Sequence, residues 1–340
     1  MAPIDLFSRI RSYYHKEPVN KAPAISTFTA ALLSAAFVVL YVLPFYLSKA
    51  TRPSPTLSRD APSVIRARIR AVTSACTIGS LLVILIVAKF GQTTLQETLH
   101  MLGWWPVNPV DVLRTTLLCA ILFAGPLFEA AIVEGRWRDW LWGTHVVETF
   151  SSWTGWRNLV AGPVTEEIVF RSLLVPLHIL AKVAPKNIVF ITPLYFGIAH
   201  IHHLYEFRLT HPEVPVLPAV LRTVVQFTYT SLFGFFATFV YLRTGSVYTA
   251  IAAHMFCNWM GLPRIWGRVG VRASMQINVP SGGKKGGTRD LGTSATVKRD
   301  LSTLWTVVYY LLLILGAYGF YINLFPLTAS SNALIDFSSN

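Results

Sequence analysis

The chain has 340 residues, 53% of them hydrophobic and only 13% charged, with a net charge of +13 and a mean hydropathy of +0.50. Soluble domains carry roughly twice that share of charged residues, so the composition excludes an ordinary soluble enzyme and points to one polytopic membrane bundle. The basic excess does not signal nucleic acid, because it clusters in loops beside apolar runs, where lipid headgroups and topology account for it.

Residues 1–24 open the chain as an interfacial segment. Leu6, Phe7, Ile10, Tyr13 and Tyr14 are interspersed with Arg9, Arg11 and Lys16, which predicts a helix lying on the bilayer surface. From 25 to 340 the chain reads as one intramembrane domain. A membrane helix needs roughly 20 apolar residues. Apolar stretches at about 25–47, 71–90, 112–133, 157–183, 187–205, 216–242, 246–262 and 304–325 predict an all-α bundle of about eight transmembrane helices. The fourth, fifth and seventh stretches are interrupted by Pro176, Pro193, His200, His254 and Asn258. Such interruptions are tolerated where neighbours or water satisfy the loosened backbone, so these three are expected in the bundle interior. Cys76, Cys119 and Cys257 all fall inside apolar runs and read as small buried hydrophobes, not as a disulfide or zinc framework.

The loops set the orientation. Residues 48–70 hold Lys49, Arg52, Arg59, Arg66, Arg68 and Arg70, and residues 264–303 are similarly basic, with Lys284 and Lys285 in a glycine-rich centre. Residues 91–111 and 326–340 contain no Lys or Arg. With eight spans both basic loops share one side, and the positive-inside rule makes that side cytosolic. The N-terminus, with Arg9, Arg11, Lys16 and Lys21, dissents by falling on the lumenal side. The aromatic run at 136–156 reads as an interfacial belt.

Within this frame the ionisable residues of the spans converge. Glu166, Glu167 and Arg171 enter the fourth span, His200 ends the fifth, and His254 and Asn258 lie in the cytosolic half of the seventh. Charged groups at membrane depth face a protein interior or a watery cavity. Glu167 and Arg171 are four apart with the acid first, the favoured order for a helical ion pair. Glu166 is turned about 100° away, which leaves it for a cavity. A carboxylate, two imidazoles and a carboxamide support hydrolysis by an activated water. Glu166 would be the base, His200 would hold the water, and His254 and Asn258 would donate to the developing oxyanion. No nucleophile-elbow serine and no cysteine paired with histidine is present. Glu166, His200 and His254 are equally a sufficient ligand set for a catalytic zinc, although no HExxH motif occurs. A non-enzymatic membrane scaffold and a proton-coupled transporter use the same residue types, but transport predicts internal repeats and none is evident.

Three motifs carry a resemblance: "EEIVFR" at 166–171, "FGIAH" at 196–200 and "HMFCN" at 254–258. In this order and on successive spans, they make the chain similar to the type II, Ras-converting CAAX prenyl endopeptidases, within the larger group of CAAX proteases and bacteriocin-processing enzymes. The resemblance is concentrated in a motif core at 156–262. It implies an intramembrane endopeptidase of the endoplasmic reticulum with its site facing the cytosol. Such an enzyme removes the C-terminal tripeptide from farnesylated or geranylgeranylated CAAX proteins such as small GTPases, at the membrane lipid surface and without a cofactor. Carried over, Glu166 activates water with His200, and His254 and Asn258 form the oxyanion hole. Glu167, Arg171 and Phe196 are the supporting residues.

Overall fold

The computed structural model describes residues 22–55, 57–270 and 302–337. Nearly all of the expected surface helix at 1–24 and most of the basic loop at 264–303, with Lys284 and Lys285, lie outside the described residues. Among those residues every regular element is helical.

Helix α1 (Thr27–Val42) begins where the Ser26 hydroxyl accepts from the Thr29 amide at 3.0 Å, and after a break at Leu43 the turn Pro44–Leu47 extends it. Helix α2 (Pro62–Gly91) starts on a proline, whose missing N–H costs nothing in a first turn, and stops where Gln92 turns left-handed at φ 52°. A reciprocal box between Thr94 and Glu97 opens the short α3 (Leu95–Met101). Helix α4 (Pro109–Leu122) is capped by Asn108 and is followed at an 80° bend by α5 (Ala124–Phe128), whose π-helical continuation ends at Val133.

The short helices Trp137–Trp142, Thr144–Ser151 and Trp153–Trp156 then present Trp137, Trp142, Trp153 and Trp156 outward, the arrangement of an interfacial belt. Helix α6 (Gly162–Glu167) passes through a π-helical stretch, Ile168–Leu173, into α7 (Leu174–Leu180). Four further long elements follow: α8 (Pro185–Ala199) with α9 (His202–Thr210), α10 (Val216–Thr244), α11 (Val247–Met260) and α12 (Thr303–Leu327).

The count of about eight spans is not reproduced. Among the described residues, five helical stretches are long and apolar enough to cross a bilayer: Thr27–Leu47, Pro62–Gly91, Pro185–Thr210, Val216–Thr244 and Thr303–Leu327. A sixth appears if the bent α4–α5 pair is one span. The expected fourth span is broken into α and π pieces, and the expected seventh is α11, only 14 residues long.

These broken elements form the centre. All residues from Val169 to Ala181 are buried, packed beneath α1, α2 and α8, whereas Leu81, Leu85, Leu113, Leu232, Ile314 and Leu315 stand exposed on the outer helices. Apolar groups facing outward are the expected surface of a lipid-embedded bundle. The fifth span departs from its expected interior place: Phe190, Ile191, Leu194 and Ile198 of α8 are exposed, so it lies at the perimeter with one face inward. Its Pro193 does not mark a central position. It marks a close helix crossing, because a Cβ on Gly234 of α10 would sit 2.6 Å from the Pro193 Cβ.

Candidate active site

The buried anchor comes first. Glu167 and Arg171 have no exposed side-chain area, and the guanidinium grips the carboxylate through two contacts, Nε to Oε2 and Nη1 to Oε1, both at 3.1 Å. The Nη1 contact is a charge-assisted hydrogen bond, and the Nε contact adds a second close approach of opposite charges. Arg171 also donates from Nη2 to the Gly234 carbonyl at 3.4 Å and lies over the rings of Phe196 and Phe233 at 5.1 and 5.8 Å. Neither group would survive alone at this depth, since a single buried charge carries an uncompensated desolvation penalty.

Glu167 has a second partner. Its Oε1 accepts from His254 Nδ1 at 2.7 Å, across 87 residues of chain. That contact fixes the ring and leaves Nε2 as its working nitrogen, 3.6 Å from Oε2 of Glu166. Glu166, one residue before the anchor, is one-fifth exposed and opens onto empty space. The adjacent glutamates therefore divide: Glu167 is sealed against Arg171 and His254, and Glu166 faces a cavity.

His200 stands at the C-terminal end of α8. Its Nδ1 donates to the Phe196 carbonyl at 2.8 Å, so in the neutral ring the lone pair resides on Nε2. The Phe196 ring meets the His200 ring edge-on at 4.6 Å, and packs on Phe170 at 4.8 Å. Phe196 is thus common support for His200 and for Arg171. On α11, one turn beyond His254, Asn258 donates from Nδ2 to the Asn158 carbonyl at 2.9 Å, which orients the carboxamide and leaves one N–H uncommitted.

Two cavities meet at these residues. The larger, about 680 Å³, is walled largely by apolar groups such as Phe123, Leu232, Phe233, Phe236 and Phe320. The smaller, about 180 Å³, lies towards α2 and α9 and contains Arg59, Arg68 and Arg157. Glu166, His200, His203, Asn158 and Asn258 line both, so they form the neck between an apolar and a cationic chamber.

Sequence reasoning singled out Glu166, Glu167, Arg171, Phe196, His200, His254 and Asn258, and all of them lie in this neck or in the anchor behind it. It missed Asn158, for which residue type and spacing offered no signal. It also missed Glu206, which accepts from His203 Nδ1 at 3.0 Å and pairs with Arg68 at 2.6 Å. The spacing of three between His203 and Glu206 was the available clue. Among the described residues, His202, His203 and Glu206 are the group whose ligand atoms lie within 4.8 Å of one another, yet the Arg68 guanidinium already occupies that carboxylate.

A family model for type II CAAX prenyl endopeptidase Rce1-like proteins matches residues 148–260. The chain is 38% identical over 247 residues to a probable CAAX prenyl protease 2 of Schizosaccharomyces pombe, covering 72% of this chain and 86% of that protein. It is 31% identical to CAAX prenyl protease 2 of Homo sapiens, over 72% of this chain and 74% of the human protein. It is 26% identical to CAAX prenyl protease 2 of Saccharomyces cerevisiae, over 85% and 92%. No solved structure matches.

Proposed function

The chain belongs to the type II CAAX prenyl endopeptidase family, and from that premise we propose that it is a multi-pass membrane endopeptidase that removes the C-terminal tripeptide from prenylated CAAX proteins. Its substrates are farnesylated or geranylgeranylated proteins such as small GTPases. The basic loop at 48–70 supports an active site open to the cytosol, and the family resemblance supports the membrane of the endoplasmic reticulum.

The reaction is hydrolysis by a water bound at the neck. A separation of 3.6 Å between Glu166 Oε2 and His254 Nε2 is shorter than two hydrogen bonds of ~2.8 Å laid end to end, so one water can contact both. Glu166 takes a proton from that water as its oxygen attacks the carbonyl carbon of the prenylated cysteine. The second N–H of Asn258, and the Nε2–H that His254 carries as an imidazolium whose Nδ1–H is held by Glu167, face the oxygen that becomes negative. Collapse of the tetrahedral intermediate breaks the C–N bond, and Glu166 returns the proton to the departing amine. His200, with its lone pair on Nε2, holds the water in line. Glu167 and Arg171 set the His254 ring and do not touch substrate.

One observation carries this reading: the exposed acid of the glutamate pair faces an imidazole whose other nitrogen is clamped by the sealed acid. The lipid and the peptide of a prenylated C-terminus differ in polarity as the two chambers do. Cleavage of a fluorescent farnesylated CAAX peptide by purified protein in detergent tests the proposal. Turnover by the wild type, its loss in Glu166→Gln with folding retained, and its persistence in chelator are expected. Turnover that vanishes with chelator and returns with zinc would transfer the reaction to a metal; no turnover by folded wild type would leave the scaffold reading.

A further inference from the structure

The smaller chamber has more guanidinium groups than the carboxylates that pair with them. Arg68 is charge-paired and largely buried: it is one-tenth exposed, its Nη2 lies 2.6 Å from Glu206 Oε1 as an ion pair, and its Nε donates to the Thr51 carbonyl at 2.9 Å. Arg157 is nearly so, with Nη1 on Asp60 at 2.7 Å and Nε on the Asn158 side chain at 2.9 Å. Arg59 is not. Its single carboxylate contact is long, 3.4 Å to Glu206 Oε2, an oxygen that His203 already engages at 3.0 Å, and its side chain is 44% exposed. Two acids, Glu206 and Asp60, therefore serve three guanidiniums, and the unserved one lines the chamber wall. Glu166, the remaining carboxylate on that wall, sits at the neck beside His254.

We infer that this chamber is a carboxylate subsite in which Arg59 reads the free C-terminus of the peptide to be released. The inference rests on the proposed reaction, which puts the scissile carbonyl at Glu166. With the lipid in the apolar chamber, the three residues beyond the cut enter the cationic one. Extended, they span roughly 10 Å, and the chain then ends in an α-carboxylate. A planar guanidinium donates two parallel hydrogen bonds to that group. Arg68, largely buried and paired with Glu206, holds the wall against which Arg59 is set, and the more exposed Arg59 is the guanidinium within reach of an incoming carboxylate. The subsite measures where the substrate ends: a peptide with residues beyond the normal C-terminus, or with its terminal charge removed, lacks the group that Arg59 engages.

The test is equilibrium binding of two fluorescent farnesylated CAAX peptides, one with a free C-terminal carboxylate and one amidated, to the full chain carrying Glu166→Gln, so that neither is cut. The acid is expected to bind roughly ten- to a hundredfold more tightly than the amide, the range of a hydrogen bond to a charged group. Adding Arg59→Gln should abolish that preference by weakening acid binding alone, and Arg59→Lys should restore part of it. Equal binding of both peptides to the Glu166→Gln chain overturns the subsite, as does a preference that survives Arg59→Gln. Weakening of both peptides to the same degree shows that Arg59 only supports the fold, and overturns it too. Turnover of either peptide by the wild type, measured alongside, reports on the reaction itself and is unaffected by these outcomes.

Discussion

The two ends of the bundle contain similar polar residues in opposite conditions. At the end that carries Asn332 and Ser330, several polar side chains close on specific partners: Tyr241 donates to the Met101 carbonyl at 2.7 Å, Ser172 to the Leu102 carbonyl at 2.6 Å, and Ser330 to Asp111 at 2.6 Å. His100 meets the Asn332 carbonyl at 2.9 Å, and burial pulls its pKa down against that hydrogen bond, favouring the neutral ring. At the Glu166 end the polar groups are fixed on one side only. His254 is clamped at Nδ1, His200 at Nδ1 and Asn258 through one N–H, and each keeps its other valence towards the neck. What marks out the candidate catalytic histidines, His200 and His254, is a ring held at one nitrogen that also lines a cavity.

The sharpest way to break this contrast is Glu166→Gln, which keeps shape and removes the proposed base. Peptide cleavage should fall by roughly a hundred- to ten-thousandfold with the thermal unfolding curve unchanged; activity within threefold of wild type would place the base elsewhere. Next, Glu167→Gln leaves Arg171 without its counter-charge at full burial. A loss of about 3–5 kcal/mol in stability is expected, together with loss of cleavage, because both the fold and the His254 ring depend on it. Asn258→Ala should cost roughly a hundred- to a thousandfold in kcat with little change in KM, if its spare N–H acts only on the oxyanion. The control at the closed end is Tyr241→Phe. It should cost about 1–3 kcal/mol of stability by orphaning the Met101 carbonyl, and turnover per folded molecule should not change.

Much of the candidate site's geometry was legible because its residues lie at helical spacings. Glu167 and Arg171 meet as their separation of four indicates, even though the intervening turn is π-helical, and Phe196 supports His200 one turn away. The clamp of Glu167 on His254 was not legible, since it joins α6 to α11 through the tertiary fold. The cationic chamber was visible only as a charged loop. That Arg68 is neutralised by Glu206 and Arg59 is not depends on α9 folding back beneath residues 59–68. The all-helical membrane class followed from composition, but the number of spans did not. Hydropathy cannot see that 157–183 is chopped into α and π segments, or that α11 stops at Gly261 after 14 residues. Nor did the interrupted fifth stretch announce that its outer face would meet lipid, because a proline seated against a glycine leaves the same trace as one at the centre.

Gly234 joins two of these threads. The residue that lets α10 lie flush on Pro193 also offers its carbonyl to Arg171. An added methyl there touches no reacting atom, yet it wedges the helices apart and unseats the cation that steadies the imidazole. Sensitivity to substitution therefore extends to a position with no chemistry of its own, and an alanine at 234 would silence cleavage by mechanical means alone.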